Sequence, residues 1–454
     1  MQAIQDILNK MNSIIWGEYV LIPLLAIVGV YLTLGLRLMP WRYIGYAVRM
    51  LLAGRKAAAD QAGDITPFQA LMTALSATIG TGNIAGVATA IYFGGPGAIF
   101  WMWFIALFGM ATKYAEAVLA VKYRETDELG NYIGGPMFYI KNGLGKNWRW
   151  LGGAFALFGM CAGFGLGNMV QSNTVADQLN HAFNVPLWAT GIVIAFLVGL
   201  VIIGGIRRIA EVAEKIVPLM AGAYFLCAGA IIVMNIDKLP AAISLIVTSA
   251  FTGTAASGGF IGATVWMAIR WGVARGIFSN ESGLGSAPIA HAAARTNDPV
   301  RQGMIAMLGT FIDTIIICSM TALAIILTGV WDSGLNGAPL SAMAFSQSLN
   351  SFGEYTITFG LIIFAFTTML GWSYYGEKCG EYLFGVRIIM PFRLAWVIAI
   401  FIGSLVKLEF VWLLADVLNG FMAIPNLIAL LLLSPVVFRV TQEYLVKLRQ
   451  APAV

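Results

Sequence analysis

The sequence has 454 residues, of which 59% are hydrophobic and only 11% are charged. Soluble domains have roughly 45–50% apolar and about 25% charged residues, so this composition excludes an ordinary soluble domain and a disordered chain. The net charge of +5 is small and its basic residues lie in short loops between apolar runs, so no nucleic-acid partner is predicted.

The composition predicts an all-α polytopic membrane protein surrounded by lipid, because helices satisfy their own backbone there. Along the chain, residues 1–15 carry apolar side chains at helical spacing, which predicts an amphipathic helix on the membrane surface. Apolar runs of about 17 residues or more then predict eleven spanning helices in one integral domain. Their approximate bounds are 18–36, 66–93, 97–122, 150–179, 187–205, 212–235, 240–269, 301–330, 354–379, 391–407 and 411–438.

Lysine and arginine are distributed unevenly between the two sides that eleven spans define. Of 27 such residues, 23 fall in the loops of one side and three, Lys10, Lys238 and Lys407, in those of the other, while Lys113 lies within a span. Cytoplasmic loops carry the excess of basic residues. This asymmetry predicts a multi-pass protein of the cell (inner) membrane, with the N-terminus outside and the C-terminus in the cytoplasm.

Two predicted spans contain stretches rich in glycine and hydroxyl residues, at 76–83 and 251–260. One such stretch is as well explained by close helix packing in lipid. With the extra helix 18–36 set aside, however, residues 66–235 and 240–438 each hold five spans, and each stretch lies in the first of its five. Interruptions at matching places in two oppositely oriented halves are typical of an inverted-repeat transporter.

A broken helix at membrane depth exposes backbone groups that can bind ligands. Its free N–H groups attract a carboxylate, and its free carbonyls can replace the water around a cation. The sequence has no nucleotide-binding G-x-x-x-x-G-K-[ST] motif and no convergent nucleophile, base or metal set, so an enzyme is not predicted and no resident cofactor is expected. A channel remains an alternative at this point.

Three motifs carry a resemblance to the alanine-or-glycine:cation symporter family. They are the run Gly94–Trp103 (GGPGAIFWMW) followed by Gly109, the run Gly165–Gln171 (GLGNMVQ), and the run Arg275–Ser286 (RGIFSNESGLGS). The similarity extends along essentially the whole chain. It implies a LeuT-like five-plus-five inverted repeat with one extra N-terminal helix. It also implies import of alanine or glycine together with sodium, the alternative being a proton-coupled or other small-solute transporter of the same fold.

The resemblance also implies a substrate site. By that match, the amides of Thr81 and Gly82 would receive the substrate carboxylate, with polar contacts from Thr78 and Asn83. The side chains that would line the rest of the pocket are Gln171, Phe164, Phe260, Ile261 and Trp372. Tight helix crossings, an interhelical hydrogen bond of the glutamine, and lipid-facing or core aromatics are the structural alternatives.

A sodium site is implied in the same way, with sodium as a co-transported ligand. The hydroxyl pair Thr367 and Thr368 lies mid-span, and the carbonyls of Ser76, Ile79 and Phe364 would complete an all-oxygen shell. The alternative for each threonine is a hydrogen bond to its own helix four residues back.

Three charged residues within spans are left without an assigned role. Lys113 and Glu116 are three residues apart and share a helical face, so we expect a structural ion pair, with gating or proton coupling as the alternative. Asp313 lies deep in a span, where a carboxylate usually indicates function.

Overall fold

The computed structural model describes residues 2–17, 19–53, 61–406 and 408–450. Lys407 and the first residues of the predicted segments 1–15 and 18–36 therefore fall outside the described part. The described residues form a helical bundle with one short antiparallel hairpin, in which Glu125 pairs with Ile133 and Thr126 with Tyr132.

The α-helices of the described part follow in chain order. They are α1 (Gln2–Ile15), α2 (Leu21–Gly35), α3 (Met39–Arg42), α4 (Ile44–Ala53), α5 (Pro67–Thr78), α6 (Val87–Gly94), α7 (Gly97–Lys122), α8 (Pro136–Tyr139), α9 (Arg149–Ala162), α10 (Val170–Phe183), α11 (Leu187–Ile202), α12 (Gly205–Met234), α13 (Leu239–Thr252), α14 (Val265–Asn280), α15 (Ala287–Ala292), α16 (Pro299–Thr310), α17 (Ser319–Leu327), α18 (Ala338–Leu349), α19 (Ser351–Phe384), α20 (Ile389–Leu405) and α21 (Leu408–Gln450). The strands are β1 (Glu125–Thr126) and β2 (Tyr132–Ile133).

Wide helical turns continue four of these helices. Residues Gly82–Gly86 lead into α6, Ile140–Leu144 follow α8, Gly163–Met169 join α9 to α10, and Phe311–Cys318 join α16 to α17. Such wide turns are often found at functional sites, where they re-aim side chains.

Seven helices of the described part are long and apolar enough to cross a membrane, when α9 with α10 and α16 with α17 are each counted as one continuous helix. The bent pair of α5 with α6 makes an eighth. The predicted spans 18–36 and 187–205 correspond to α2 and α11, which are shorter apolar helices. The count of eleven therefore stays a prediction, whereas the all-helical membrane class is confirmed.

The predicted span 240–269 is wrong as a single helix. It consists of α13, an irregular segment 253–264, and the first turn of α14. The irregular segment lies at the end of the bundle next to the turn after α17, where the Gly259 amide donates to the Asp332 carbonyl at 2.5 Å. The Trp101 indole N–H, near the start of α7, donates to the Ala250 carbonyl. Residues 251–260 are thus a loop, and not a break inside a helix.

The second break lies further along the chain, between α14 and α15, at residues 281–286. The core forms around the two broken helices: α5 packs against α15, α6 packs against α14, and α7 contacts α14, α15 and α16. Small residues permit this close packing. A Cβ on Gly272 of α14 would lie 2.2 Å from the Ala98 carbonyl oxygen of α7.

Candidate binding site at the two helix breaks

The first break was predicted from the sequence and is present. Helix α5 starts with a capping box, in which Thr66 and Gln69 bond each other's backbone amides, and ends at Thr78. Ile79 then turns to extended backbone, and the chain resumes at an angle of 53°. The side-chain oxygen of Asn83 accepts from the Gly80 amide at 2.8 Å, which fixes the turn.

Gln171 and Thr368 close against this turn from two other helices. The Thr81 amide donates to Gln171 Oε1 at 3.3 Å, and Gln171 Nε2 donates to the Leu166 carbonyl at 3.0 Å. A Cβ at Gly80 would lie 2.5 Å from the Thr368 hydroxyl oxygen. Any side chain at position 80 would therefore require the Thr368 side chain to move.

The second break is organised by a carboxylate that the sequence did not place in the site. Glu281 ends α14 in the left-handed region, with φ of 56°, and is almost completely buried. Its Oε1 accepts from Trp372 Nε1 at 2.6 Å, and its Oε2 accepts from Ser286 Oγ at 2.5 Å. The sequence signal that could have located this break is the run ESGLG from Glu281, a glutamate with two glycines close behind it in apolar sequence.

A small cavity of about 10 Å³ lies where the two breaks meet. This is close to the room that one water molecule needs. Five predicted site residues line the cavity together with residues that sequence reasoning did not assign to it. The predicted ones are Thr78, Gly82, Gln171, Thr368 and Trp372; the others include Leu166, Phe278 and Glu281.

The predicted sodium oxygens are partly brought together, and each threonine also makes the alternative hydrogen bond to its own helix four residues back, Thr367 to Ile363 and Thr368 to Phe364. Thr368 Oγ1 lies 3.4 Å from the Ile79 carbonyl oxygen and 2.9 Å from that of Phe364. Thr367 Oγ1 lies 3.0 Å from the same Phe364 carbonyl and 3.6 Å from Met220 Sδ. Ser76 uses its hydroxyl within its own helix, donating to the Thr73 carbonyl.

Three predicted pocket walls lie outside the cavity lining. The ring of Phe164 packs against Phe392 and Trp396, with both centroids 5.3 Å away. Phe260 is buried in the loop after α13, where it meets Trp331, and Ile261 is 74% exposed. Phe260 and Ile261 were predicted as pocket walls because the sequence placed the second break at 251–260, where the structure has a loop.

Asn83 connects the first break to a buried carboxylate. Its Nδ2 donates to Asp313 Oδ1 at 2.7 Å. The other oxygen of Asp313 accepts from the hydroxyls of Ser279 and Thr314, both at 2.8 Å. Asp313 therefore does have partners, and it ties both broken helices to the wide turn between α16 and α17.

A vestibule of about 960 Å³ lies on one side of the small cavity. Its walls include Trp271, Trp412 and the ion pair of Arg275 with Asp416, whose charged atoms are 2.5 Å apart. Phe278 stacks on Trp412 with centroids 4.7 Å apart. Since Phe278 also lines the small cavity, this aromatic pair separates the cavity from the vestibule.

The opposite side is closed by backbone pairing between residues 62–65, before α5, and 293–296, after α15; we call this pairing the zipper. The Asp64 and Ile65 amides donate to the Ala293 carbonyl, and the Arg295 and Thr296 amides donate back to Ile65 and Ala62. The four N···O distances are 2.7–3.2 Å.

Arg124 covers the zipper with a single guanidinium group. It donates to four carbonyl oxygens at 2.6–3.1 Å, those of Ala62, Ala292, Ala294 and Thr296. Tyr132 packs on its other face, with the ring centroid 4.8 Å away. One side chain thus holds the ends of both broken helices.

The sequence and the fold were compared with known proteins. The model of the sodium:alanine symporter family matches residues 1–453. The chain is 50% identical to the "Sodium/alanine symporter AgcS" of Methanococcus maripaludis, over 97% of both chains. It is 39% identical to the "Probable sodium/glutamine symporter GlnT" of Bacillus subtilis, over 98% of this chain and 91% of that one.

Among solved structures, the fold is similar to that of MhsT in complex with L-phenylalanine. The TM-score is 0.56 at 13% identity, covering 85% of this chain and 99% of that one. This likeness identifies the LeuT fold.

Proposed function

The chain belongs to the sodium:alanine symporter family, whose members are membrane transporters and not enzymes, and from this premise we propose that it imports alanine and/or glycine together with sodium. The observation that carries the proposal is the meeting of two helix breaks at one small cavity, beside a cluster of uncharged oxygens. Backbone amides and carbonyls can hold a zwitterion and a cation there, in a cavity whose lining also includes the Glu281 carboxylate.

The substrate carboxylate binds at the amides of Thr81 and Gly82. In the present conformation the amide oxygen of Gln171 accepts from the Thr81 N–H, so it holds the place that a carboxylate oxygen takes. On binding, Gln171 rotates away and its amide becomes available to the substrate. Thr78 and Trp372 line the same space, and Asn83 supports the turn from behind.

Because the cavity has room for about one water molecule, it must widen for any amino acid, and a small side chain requires the least widening. Trp372 and Phe278 border a cavity of only about 10 Å³, and each extra methylene that must be accommodated changes discrimination by about 1–3 kcal/mol. The relative named as a glutamine symporter makes glutamine the substrate to test against alanine and glycine.

Sodium binds between the end of α5 and α19. The hydroxyls of Thr368 and Thr367 and the carbonyls of Ile79, Phe364 and Ser76 supply oxygens, which a hard cation prefers. Two of those carbonyls already contact Thr368. Sodium therefore joins the broken helix to α19, and its entry with a potential of 100 mV contributes about 2.3 kcal/mol.

The vestibule faces outside and the zipper faces the cytoplasm. Arg124 and Arg295, from the loops rich in lysine and arginine, lie at the zipper. Arg270 and Arg275, which the sequence placed in one of these loops, instead belong to α14, and Arg275 lines the vestibule. Eleven spans, two inverted halves, an outer N-terminus and a cytoplasmic C-terminus complete this topology. The chain then alternates between the present arrangement, in which the zipper is closed and the Phe278–Trp412 pair covers the cavity, and one in which the zipper separates.

Uptake of labelled alanine by proteoliposomes tests the proposal. We expect uptake driven by an inward sodium gradient, absent when choline replaces sodium, and inhibited by unlabelled glycine more strongly than by glutamine. Uptake indifferent to both sodium and pH gradients contradicts coupled transport. Stronger inhibition by glutamine contradicts the small-substrate assignment alone.

A further inference from the structure

A cavity of about 520 Å³ lies beside the β1–β2 hairpin, away from the residues that line the proposed transport site. Its walls come from the hairpin, from α8 and the start of α9, and from the last turns of α19. They include Phe138 and Tyr382, whose rings meet edge to face with centroids 5.3 Å apart. Small-molecule sites have volumes of about 300–1,000 Å³, so this cavity has room for an organic ligand.

Two buried carboxylates at this cavity share one ammonium group. Lys378 Nζ lies 2.6 Å from Glu381 Oε2 and 3.6 Å from Asp127 Oδ2, and the three side chains are at most 5% exposed. Glu377, the neighbouring carboxylate of α19, is paired with Arg393 instead. The group therefore has one negative charge in excess, which is costly in a buried place unless a cation neutralises it.

One oxygen of this group has no partner. Within the described part of the chain, Glu381 Oε1 is buried without a hydrogen bond, whereas Asp127 accepts from the backbone and side-chain N–H groups of Asn131. Lys113 Nζ and Glu116 Oε2 are also buried without a hydrogen bond, so the expected ion pair of α7 is not closed, but neither residue lines this cavity. The free acceptor that the cavity offers a ligand is Glu381 Oε1.

The other charged residues of the wall do not cancel the excess. Glu125 is paired with Lys141, whose Nζ lies 2.8 and 3.0 Å from its two oxygens. Glu128 and Arg149 are exposed and have opposite signs. These two pairs are balanced, so the uncompensated charge is that of the buried group around Lys378.

From these contacts we propose that the cavity binds a small organic cation through a primary ammonium group, which donates to Glu381 Oε1. An ammonium can bond a single oxygen, and its alkyl stem can pack on Phe138 and Tyr382, whose rings also attract a cation. A metal ion needs several free oxygens, but among the buried side-chain oxygens of the described wall only Glu381 Oε1 is free. A diamine and a basic amino acid share this chemistry; the carboxylate of an amino acid can reach Arg149 at the rim.

The ligand acts on the zipper through the hairpin. The Tyr132 amide of β2 donates to Asp64 Oδ2 at 2.7 Å, and the Tyr132 ring packs on Arg124, which covers the zipper. A ligand bonded between the hairpin and α19 holds these contacts in place, so an occupied cavity favours the closed zipper. This effect on the zipper rests on the proposed function, whereas binding to the cavity does not.

Thermal unfolding and hydrogen–deuterium exchange of the full chain in detergent test the site, with putrescine as the diamine and L-lysine as the amino acid. Both should raise the melting temperature and slow amide exchange in residues 125–133 and in the zipper. 1,4-Butanediol, the uncharged analogue of putrescine, and potassium chloride at equal ionic strength should do neither. A stronger effect of L-lysine that Arg149→Gln removes identifies an amino acid as the ligand class, and a stronger effect of putrescine identifies a diamine.

Glu381→Gln should raise the apparent dissociation constant of putrescine by about 10- to 150-fold, through the loss of one charge-assisted hydrogen bond. The variant should fold, because Asp127 still faces Lys378. Glu443→Gln, at an exposed position of α21, should bind putrescine as the unaltered protein does.

The outcomes separate the parts of the inference. Equal stabilisation by 1,4-butanediol or by potassium overturns the ammonium ligand. Unchanged putrescine binding in Glu381→Gln overturns the site, as does exchange in residues 125–133 of the unaltered protein that does not respond to putrescine, a result that needs no variant. Slower exchange in 125–133 with unchanged zipper amides overturns the effect on the zipper alone. None of these results depends on alanine uptake, so their failure is distinct from failure of sodium symport.

Discussion

Replacing Arg124 should open the zipper without changing the residues that line the binding cavity. Its guanidinium donates to three carbonyls of the two zipper segments, those of Ala62, Ala294 and Thr296, and to that of Ala292 at the end of α15. These segments lead directly into α5 and out of α15, so in the proposed cycle they separate when the zipper opens. We expect Arg124 to lose these contacts in the open state and therefore to bias the equilibrium toward the closed one.

The size of the bias follows from the contacts. A hydrogen bond to a charged group contributes roughly 1.5–3 kcal/mol. Arg124 is half-buried, and the backbone pairs beneath it remain after its removal, so we expect about 2–4 kcal/mol for Arg124→Ala rather than the sum of four bonds. This corresponds to about a 30- to 700-fold shift toward the open form. Arg124→Lys should be intermediate, because an ammonium cannot span four acceptors as a planar guanidinium does.

Hydrogen–deuterium exchange reports this shift directly. The amides of Asp64, Ile65, Arg295 and Thr296 are bonded across the zipper and exchange when it opens. The exchange of these four amides should be about 30- to 700-fold faster in Arg124→Ala than in the unaltered protein. Amides within α20 should keep their rates, and Arg42→Lys, an exposed arginine, should change nothing.

Unchanged exchange of the four zipper amides in Arg124→Ala would refute the reasoning. Equal acceleration throughout the bundle would also refute it, since that result indicates global destabilisation and not a gate.

Three further outcomes are expected. Thr368→Val should weaken sodium activation of uptake by about 10- to 150-fold through the loss of roughly 1.5–3 kcal/mol, and Thr356→Val, an exposed hydroxyl on the same helix, should not. Gly167→Ala should lower the melting temperature because its Cβ would lie 2.1 Å from a tryptophan Cβ, whereas Gly153→Ala has free space and should not. The pKa of Asp127 lies below its ordinary value: burial alone would raise it, but the Asn131 amides and the Lys378 ammonium outweigh burial. The stabilisation that ionised Asp127 contributes is thus complete above the ordinary carboxyl pKa of about 3.9, and it is lost as the pH falls through the lower pKa of the folded state. Asp127→Asn should therefore make the melting temperature fall less steeply at acid pH.

The first break could be predicted because its glycines interrupt an otherwise uniform apolar run. The second could not be placed, since the stretch 253–264 has the same small and hydroxyl residues as a broken helix but lies in a loop. Composition does not distinguish the two cases. The distinguishing feature is a buried carboxylate, Glu281, whose partner Trp372 comes from a helix 91 residues away in sequence.

Aromatic pocket walls were predicted less well than polar ones. Gln171 and Thr368 reach the cavity because a buried polar group must find a partner, and the broken backbone provides one. Phe164 has no such requirement, and the helix rotation at its wide turn directs it toward Phe392 and Trp396 instead. Periodicity cannot specify that rotation.

The zipper is a pairing of peptide groups, and peptide groups offer the same donor and acceptor in every residue except proline. Exchanging one side chain for another along 62–65 or 293–296 leaves its donors and acceptors in place, provided that space permits, as it does not at Gly63, where a Cβ would lie 2.4 Å from the Ala294 oxygen. Adding or deleting one residue, by contrast, shifts every pair out of register at once. This closure therefore tolerates most substitutions along its two segments but not an insertion or a deletion.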